Sequence, residues 1–113
     1  PEVAFCGMTE AAAKTAYGED SVRVSKVNFA GNARAAILGE RRGMLKLVAL
    51  ADGPVVGVHI IGPWASELLS PGYLSTNWEA FPEEVAAYIQ PHPTLSEILG
   101  EAAMALVGRP LHG

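Results

Sequence analysis

The chain has 113 residues and a mass of 11.9 kDa, a length that predicts one domain and leaves no room for two. Half of it is apolar, 18% is charged and the mean hydropathy is +0.22, which excludes a disordered tail and leaves more apolar surface than a small monomer uses. The net charge of −4 is uneven: residues 1–53 carry seven Lys/Arg against six acids, and residues 54–113 carry one Arg against six acids. With no basic stripe in the second half, nucleic acid is not an expected partner.

The chain opens Pro1-Glu2-Val3-Ala4-Phe5, apolar almost at once and without an initiator Met, and reads as a piece cut from something longer. Val3–Met8 fits a buried strand. Within it Cys6 is the one cysteine of the chain. It excludes an internal disulfide, reads as a small buried hydrophobe, and points to a reducing, cytoplasmic setting. Thr9 caps a helix over Glu10–Tyr17, ended by Gly18. Ser21–Phe29 alternates as a strand, with a slip after Lys26 that predicts a bulge. Ala30-Gly31-Asn32 is a turn, and Ala33–Leu38 is taken as a strand because its neighbours are strands.

Gly39–Gly43 is a charged turn in which Arg41 and Arg42 are solvated. Met44–Ala51 and Val55–Ile61 follow as strands joined by Asp52-Gly53-Pro54. Such short connections force antiparallel pairing, so the centre of the chain is a meander. Pro63 is placed at the first position of a helix that continues through Ser70, and Pro71 predicts a kink or break before helix resumes over Tyr73–Ala80. Pro82 opens a short helix and Pro91 ends it. Leu95, Ile98, Leu99, Ala102, Ala103, Leu106 and Val107 recur at helical spacing, with Gly108 and Pro110 as the stop. The expected fold is α+β: an antiparallel meander sheet of four to five strands with helices packed on it.

No apolar run reaches the roughly 20 residues of a membrane-spanning helix. Glycine-rich dinucleotide motifs, HExxH and GxSxG are absent, and His59, His92 and His112 lack metal-ligand spacing, so no metal is expected. One stretch can carry chemistry, Pro91-His92-Pro93-Thr94-Leu95-Ser96-Glu97. Two prolines stiffen the backbone around His92, and His92–Pro93 is a candidate cis peptide. Thr94 and Glu97 have capping-box spacing, which brings Glu97 near His92. A carboxylate on one ring nitrogen leaves the other to take a proton. Capping boxes are commoner than catalytic dyads, so spacing alone favours a plain helix cap behind a surface histidine. His59, between Val58 and Ile60, reads as structural. Trp78 and Tyr88 read as packing or interface residues, and Glu67 as a partner between helices.

His92–Glu97, HPTLSE, resembles the signature near the C-terminus of the flavin-dependent pyridine nucleotide–disulfide oxidoreductases. The likeness covers essentially the whole chain. Pro1–Glu10 is similar to the family's opening strand, and Gly57–Leu69 to its strand-to-helix segment. Asn77–Pro82 and Gly108–His112 look most like the actinobacterial dihydrolipoamide dehydrogenase branch. The resemblance implies that residues 1–113 are the dimerisation domain of such an enzyme, whose FAD and NAD domains and redox cysteine pair lie upstream. It implies a homodimer in which His92 is the acid–base group for the partner subunit's thiols, Glu97 orients it, and His92 and Pro93 contact the partner subunit's flavin. A lipoyl-bearing protein of a 2-oxo acid dehydrogenase complex is the further partner it implies. FAD and NAD belong to the parent, and none is expected on the fragment. Glutathione or mycothione reductase, or a free-standing self-association module, are the alternatives. Pro71-Gly72 departs from the family, where that helix is continuous.

Overall fold

The structure, a computed structural model, describes residues 2–108. Arg109, Pro110, His112 and most of the Gly108–His112 motif lie outside the described residues. In chain order the elements are β1 (Glu2–Gly7), α1 (Glu10–Tyr17), β2 (Val22–Asn28), α2 (Ala33–Leu38), β3 (Met44–Leu50), β4 (Val55–Gly62), α3 (Ala65–Asn77), α4 (Pro82–Ala87) and α5 (Glu97–Leu106). The strands form one antiparallel sheet in the order β1-β4-β3-β2. The stretch β2-β3-β4 is the expected meander, and β1 adds to its far edge beside β4.

Register decides the two faces, because side chains alternate along each strand. Ser25 pairs with Leu47, Leu47 with Val58 and Val58 with Cys6, so these residues share a face, as do Val27, Leu45, Ile60 and Ala4. On this face α3 covers β1 and β4 while α5 covers β2 and β3. The core between them holds Leu45, Leu47, Val58, Ile60, Ile98, Leu99, Ala102 and Ala103. Ser25 is buried there and donates its hydroxyl to the Ala102 carbonyl at 2.7 Å, a polar rivet between β2 and α5. The opposite face carries α1, fastened to β3 by Glu10, whose carboxylate meets Lys46 at 2.6 Å and, within the helix, Lys14 at 2.7 Å. Those bonds, Lys14 first and then Lys46, pull the Glu10 carboxyl down to about 2. Val3, Phe5 and Ile61 stay exposed on the same face, so Val3–Met8 is not the buried strand expected: β1 is an edge strand with one face open.

Four other expectations need correction. Ala33–Leu38 is α2, a helix and not a strand. Its strand reading rested on neighbours alone, whereas the Asn32 side chain accepts the Ala35 N–H and Gly39, at φ 72°, closes the other end in the left-handed region. The sheet therefore has four strands. The bulge is not in β2, whose pairing with β3 is unbroken, but between β3 and β4 near Val48 and Ala49. Trp64, and not a residue before Pro63, caps α3, in the left-handed region at φ 59°. The Ser66 N–H at the start of this helix donates to the Glu2 carboxylate at 3.0 Å.

The fourth correction is Pro71, which does not break α3: the helix runs unbroken from Ala65 to Asn77. An interior proline costs about 3 kcal/mol locally, since it deprives the Glu67 carbonyl of a donor. Glu67 is exposed, so water reaches that carbonyl. Packing outweighs the penalty. Gly72 lies so close to β4 that a Cβ there would sit 2.9 Å from Val58 Cγ1, which is how α3 lies flat on the sheet. The segment is thus a continuous helix, and the departure suspected from Pro71-Gly72 does not alter its course.

Candidate functional site

The head of α5 is built by a loop in which backbone donors are scarce. Pro91 and Pro93 have no N–H, and the His92–Pro93 peptide bond is cis. Local side chains fill the gaps. The Thr94 hydroxyl donates to the Pro91 carbonyl at 2.8 Å, and the Thr94 N–H donates to Glu97 Oε1 at 2.9 Å. The expected capping box is therefore half made: Glu97 reaches back to Thr94, but the Thr94 hydroxyl turns to Pro91. The last turn before α5 is closed by main-chain bonds from Ile98 to Leu95 and from Leu99 to Ser96.

Glu97 serves two donors. Its Oε1 and Oε2 lie 3.0 and 3.1 Å from His92 Nδ1, while Oε1 also takes the Thr94 N–H. The side chains differ in exposure, 60% for His92 against 17% for Glu97. A shielded carboxylate thus holds one nitrogen of an imidazole whose ring stands out from the protein. With a proton on Nδ1 donated to Glu97, Nε2 is the acceptor nitrogen of the ring.

Beside this pair is a cavity of about 130 Å³ lined by Asn32, Ala33, Ala36, His92, Glu97 and Glu101. Glu101, one turn beyond Glu97 on the inner side of α5, is only 8% exposed and also lines a second cavity, of about 220 Å³, with Tyr88 and Met104. The sequence reading missed Glu101. Its signal was there, because it sits between Ile98 and Ala102 on the buried stripe of the helix.

The other candidates stand elsewhere. Cys6 is half-buried on the core face, its sulfur 3.7 Å from the Thr76 hydroxyl oxygen. His59 is on the other face of the sheet, donating Nε2–H to the Met8 carbonyl at 2.9 Å and stacked on Phe5. Trp78 and Tyr88 are exposed, so they do not pack within this chain. Arg42 is exposed and doubly bonded to Glu40, which lowers that carboxyl to about 2. Glu67 does not link two helices but stands exposed in the first turn of α3, beside that helix's positive end. Among the described residues no group of three His, Cys, Asp or Glu side chains could hold a metal ion, and no helix is long and apolar enough to cross a membrane.

An antiparallel sheet with helices on both faces and a His–Glu pair presented at the head of the last helix is a domain that supports a site rather than enclosing one. The chain belongs to the family described as pyridine nucleotide-disulphide oxidoreductase, dimerisation domain, whose model matches residues 1–103. It is 42% identical over 113 residues to a dihydrolipoyl dehydrogenase of Bacillus subtilis, covering 99% of this chain and 23% of that protein. It is 38% identical over 109 residues to the dihydrolipoyl dehydrogenase of Corynebacterium glutamicum, covering 96% and 23%. The resemblance therefore extends beyond the actinobacterial branch. Among solved structures it is similar to LpdA from Mycobacterium tuberculosis, with a TM-score of 0.85 and 29% identity over 94% of this chain and 23% of the other. The chain thus spans about a quarter of the length of these proteins.

Proposed function

We propose that this chain is the dimerisation domain of a dihydrolipoyl dehydrogenase-type flavoenzyme, that two copies pair, and that each lends His92 to the other's thiol–disulfide centre. Membership of the family and identities of 36–42% to dihydrolipoyl dehydrogenases support the class. The observation that carries the role of His92 is its geometry: an exposed imidazole, held at Nδ1 by both oxygens of a shielded carboxylate, on a loop stiffened by prolines.

In this reading Nε2 takes the proton from a dihydrolipoyl thiol. The thiolate then attacks one sulfur of the redox disulfide, forming a new S–S bond as the old one breaks, and the imidazolium returns the proton to the departing sulfur. Glu97 keeps the ring in the tautomer that leaves Nε2 basic, and it stabilises the charge that arrives there. An antiparallel sheet without a glycine-rich strand-to-helix turn does not fit FAD or NAD as a cradle. Both belong to other domains of the parent, and the exposed tip at His92 and Pro93 fits an edge contact with the partner subunit's flavin. FAD, held by those other domains, would supply the electron transfer between the redox dithiol and NAD. A lipoyl-bearing protein of a 2-oxo acid dehydrogenase complex is the matching substrate carrier, and a cytoplasmic setting goes with the reading.

The test is His92→Gln in the full-length flavoenzyme, assayed with dihydrolipoamide and NAD. Turnover falls by about 10²–10⁴-fold while flavin content is unchanged. Near-normal turnover overturns the reading.

A further inference from the structure

The His92 loop is local in its own bonds but is tied to a distant part of the chain at two points. Arg34 Nε donates to the Pro93 carbonyl at 3.1 Å, and Asn32 Nδ2 donates to the Thr94 carbonyl at 3.0 Å. These contacts span 59 and 62 residues of sequence. Asn32 is only 8% exposed, and its Oδ1 is already engaged by the Ala35 N–H at 3.0 Å. With both ends of the amide used, its orientation is determined.

We propose that Asn32 and Arg34 are positioning residues for His92, holding the two carbonyls that follow it and so setting where the imidazole stands. This rests on the reading of His92 as an acid–base group. Glu97 orients the ring relative to α5, and the side chain that carries it is 60% exposed. Among the described residues the Pro91 carbonyl is held from within the loop, by Thr94. A cavity of about 130 Å³ lies between α2 and the His92 side of the loop. The two side-chain donors connect the α2 end of the chain to the carbonyls beside the proposed acid–base group. A displacement of about 1 Å at such a group is enough to cost a large part of its rate advantage.

The experiment separates positioning from folding by using variants that keep the cap of α2. Asn32→Asp still accepts the Ala35 N–H but sets an oxygen against the Thr94 carbonyl. Asn32→Ser still caps and is too short to span both partners. Arg34→Met removes the bond to Pro93 while keeping an unbranched side chain, and Arg34→Lys is the conservative partner that keeps the charge and an N–H donor. In the full-length flavoenzyme, with dihydrolipoamide and NAD, the proposal expects kcat to fall about 10–100-fold in Asn32→Asp and Arg34→Met. It expects KM, flavin content and Tm to stay near wild type, the pH profile of kcat to shift, and Arg34→Lys to recover part of the loss. Asn32→Ser serves the same comparison if Asn32→Asp fails to take up flavin. Normal kcat in these variants while His92→Gln is inactive overturns this inference and leaves the role of His92 intact. Near-normal His92→Gln overturns the role itself. Loss of flavin in every variant assigns the contacts to folding and also overturns the proposal.

Discussion

Two histidines in this chain differ in the partner of one ring nitrogen, and that difference separates a structural imidazole from one proposed to be reactive. His59 lies half-buried on the sheet, its Nε2 given to the Met8 carbonyl and its ring stacked on Phe5 with centroids 5.8 Å apart. A carbonyl only accepts, so that nitrogen is the donor and ties the end of β1 to β4. His92 is bonded to a carboxylate and stands exposed. Its exposure lets another molecule reach the ring. The same side chain is a clasp in one place and, in the function proposed above, a proton carrier in the other.

Three changes test that contrast. The largest effect is expected from Glu97→Gln, which keeps the size of the side chain and an acceptor but removes the charge behind His92. Turnover of the full-length flavoenzyme falls about 10²-fold with flavin content intact, read by steady-state kinetics. Turnover within a factor of two shows that the carboxylate serves only as a helix cap, and the contrast with His59 is lost. Next is His59→Ala, which removes a hydrogen bond and a stacked ring. Stability falls by about 1–2 kcal/mol in denaturant unfolding, while turnover is unchanged once folded enzyme is compared. A loss of turnover at wild-type stability breaks the distinction from the other side.

The smallest effect concerns Glu10, the anchor of α1 on the face that bears His59. Its folded carboxyl titrates at about 2, below the usual value of about 4.3, so its bonds to Lys14 and Lys46 stabilise the fold above that usual value. This contribution fades as pH falls and is gone below about 2. Wild type therefore has a higher urea midpoint than Glu10→Gln near neutrality, and the gap narrows on acidification. A gap that does not depend on pH assigns the effect to packing.

Most of the fold and half of the site were legible from local pattern. Thr9, Gly18 and Pro82 mark helix ends because caps act through neighbours a few residues away. Asp52-Gly53-Pro54 marks the β3–β4 turn for the same reason, and Thr94-x-x-Glu97 brought the carboxylate to His92. Asn32 was read as a turn residue, although it carries the cap signal of α2. Ala33–Leu38, apolar except for Arg34 and only six residues long, is too short to show a helical period of its own.

What the sequence determined by itself is whatever a few adjacent residues decide: caps, turns, alternation, and the pairing of His92 with Glu97 five residues on. Only the tertiary structure decided the rest. It carried α3 through Pro71 because Gly72 lets the helix rest on Val58, buried Glu101 behind the site, and brought Asn32 and Arg34 to the carbonyls of Thr94 and Pro93. Such contacts join segments tens of residues apart, and each exists because the order β1-β4-β3-β2 and the seating of α5 on β2 and β3 close the long loops between them.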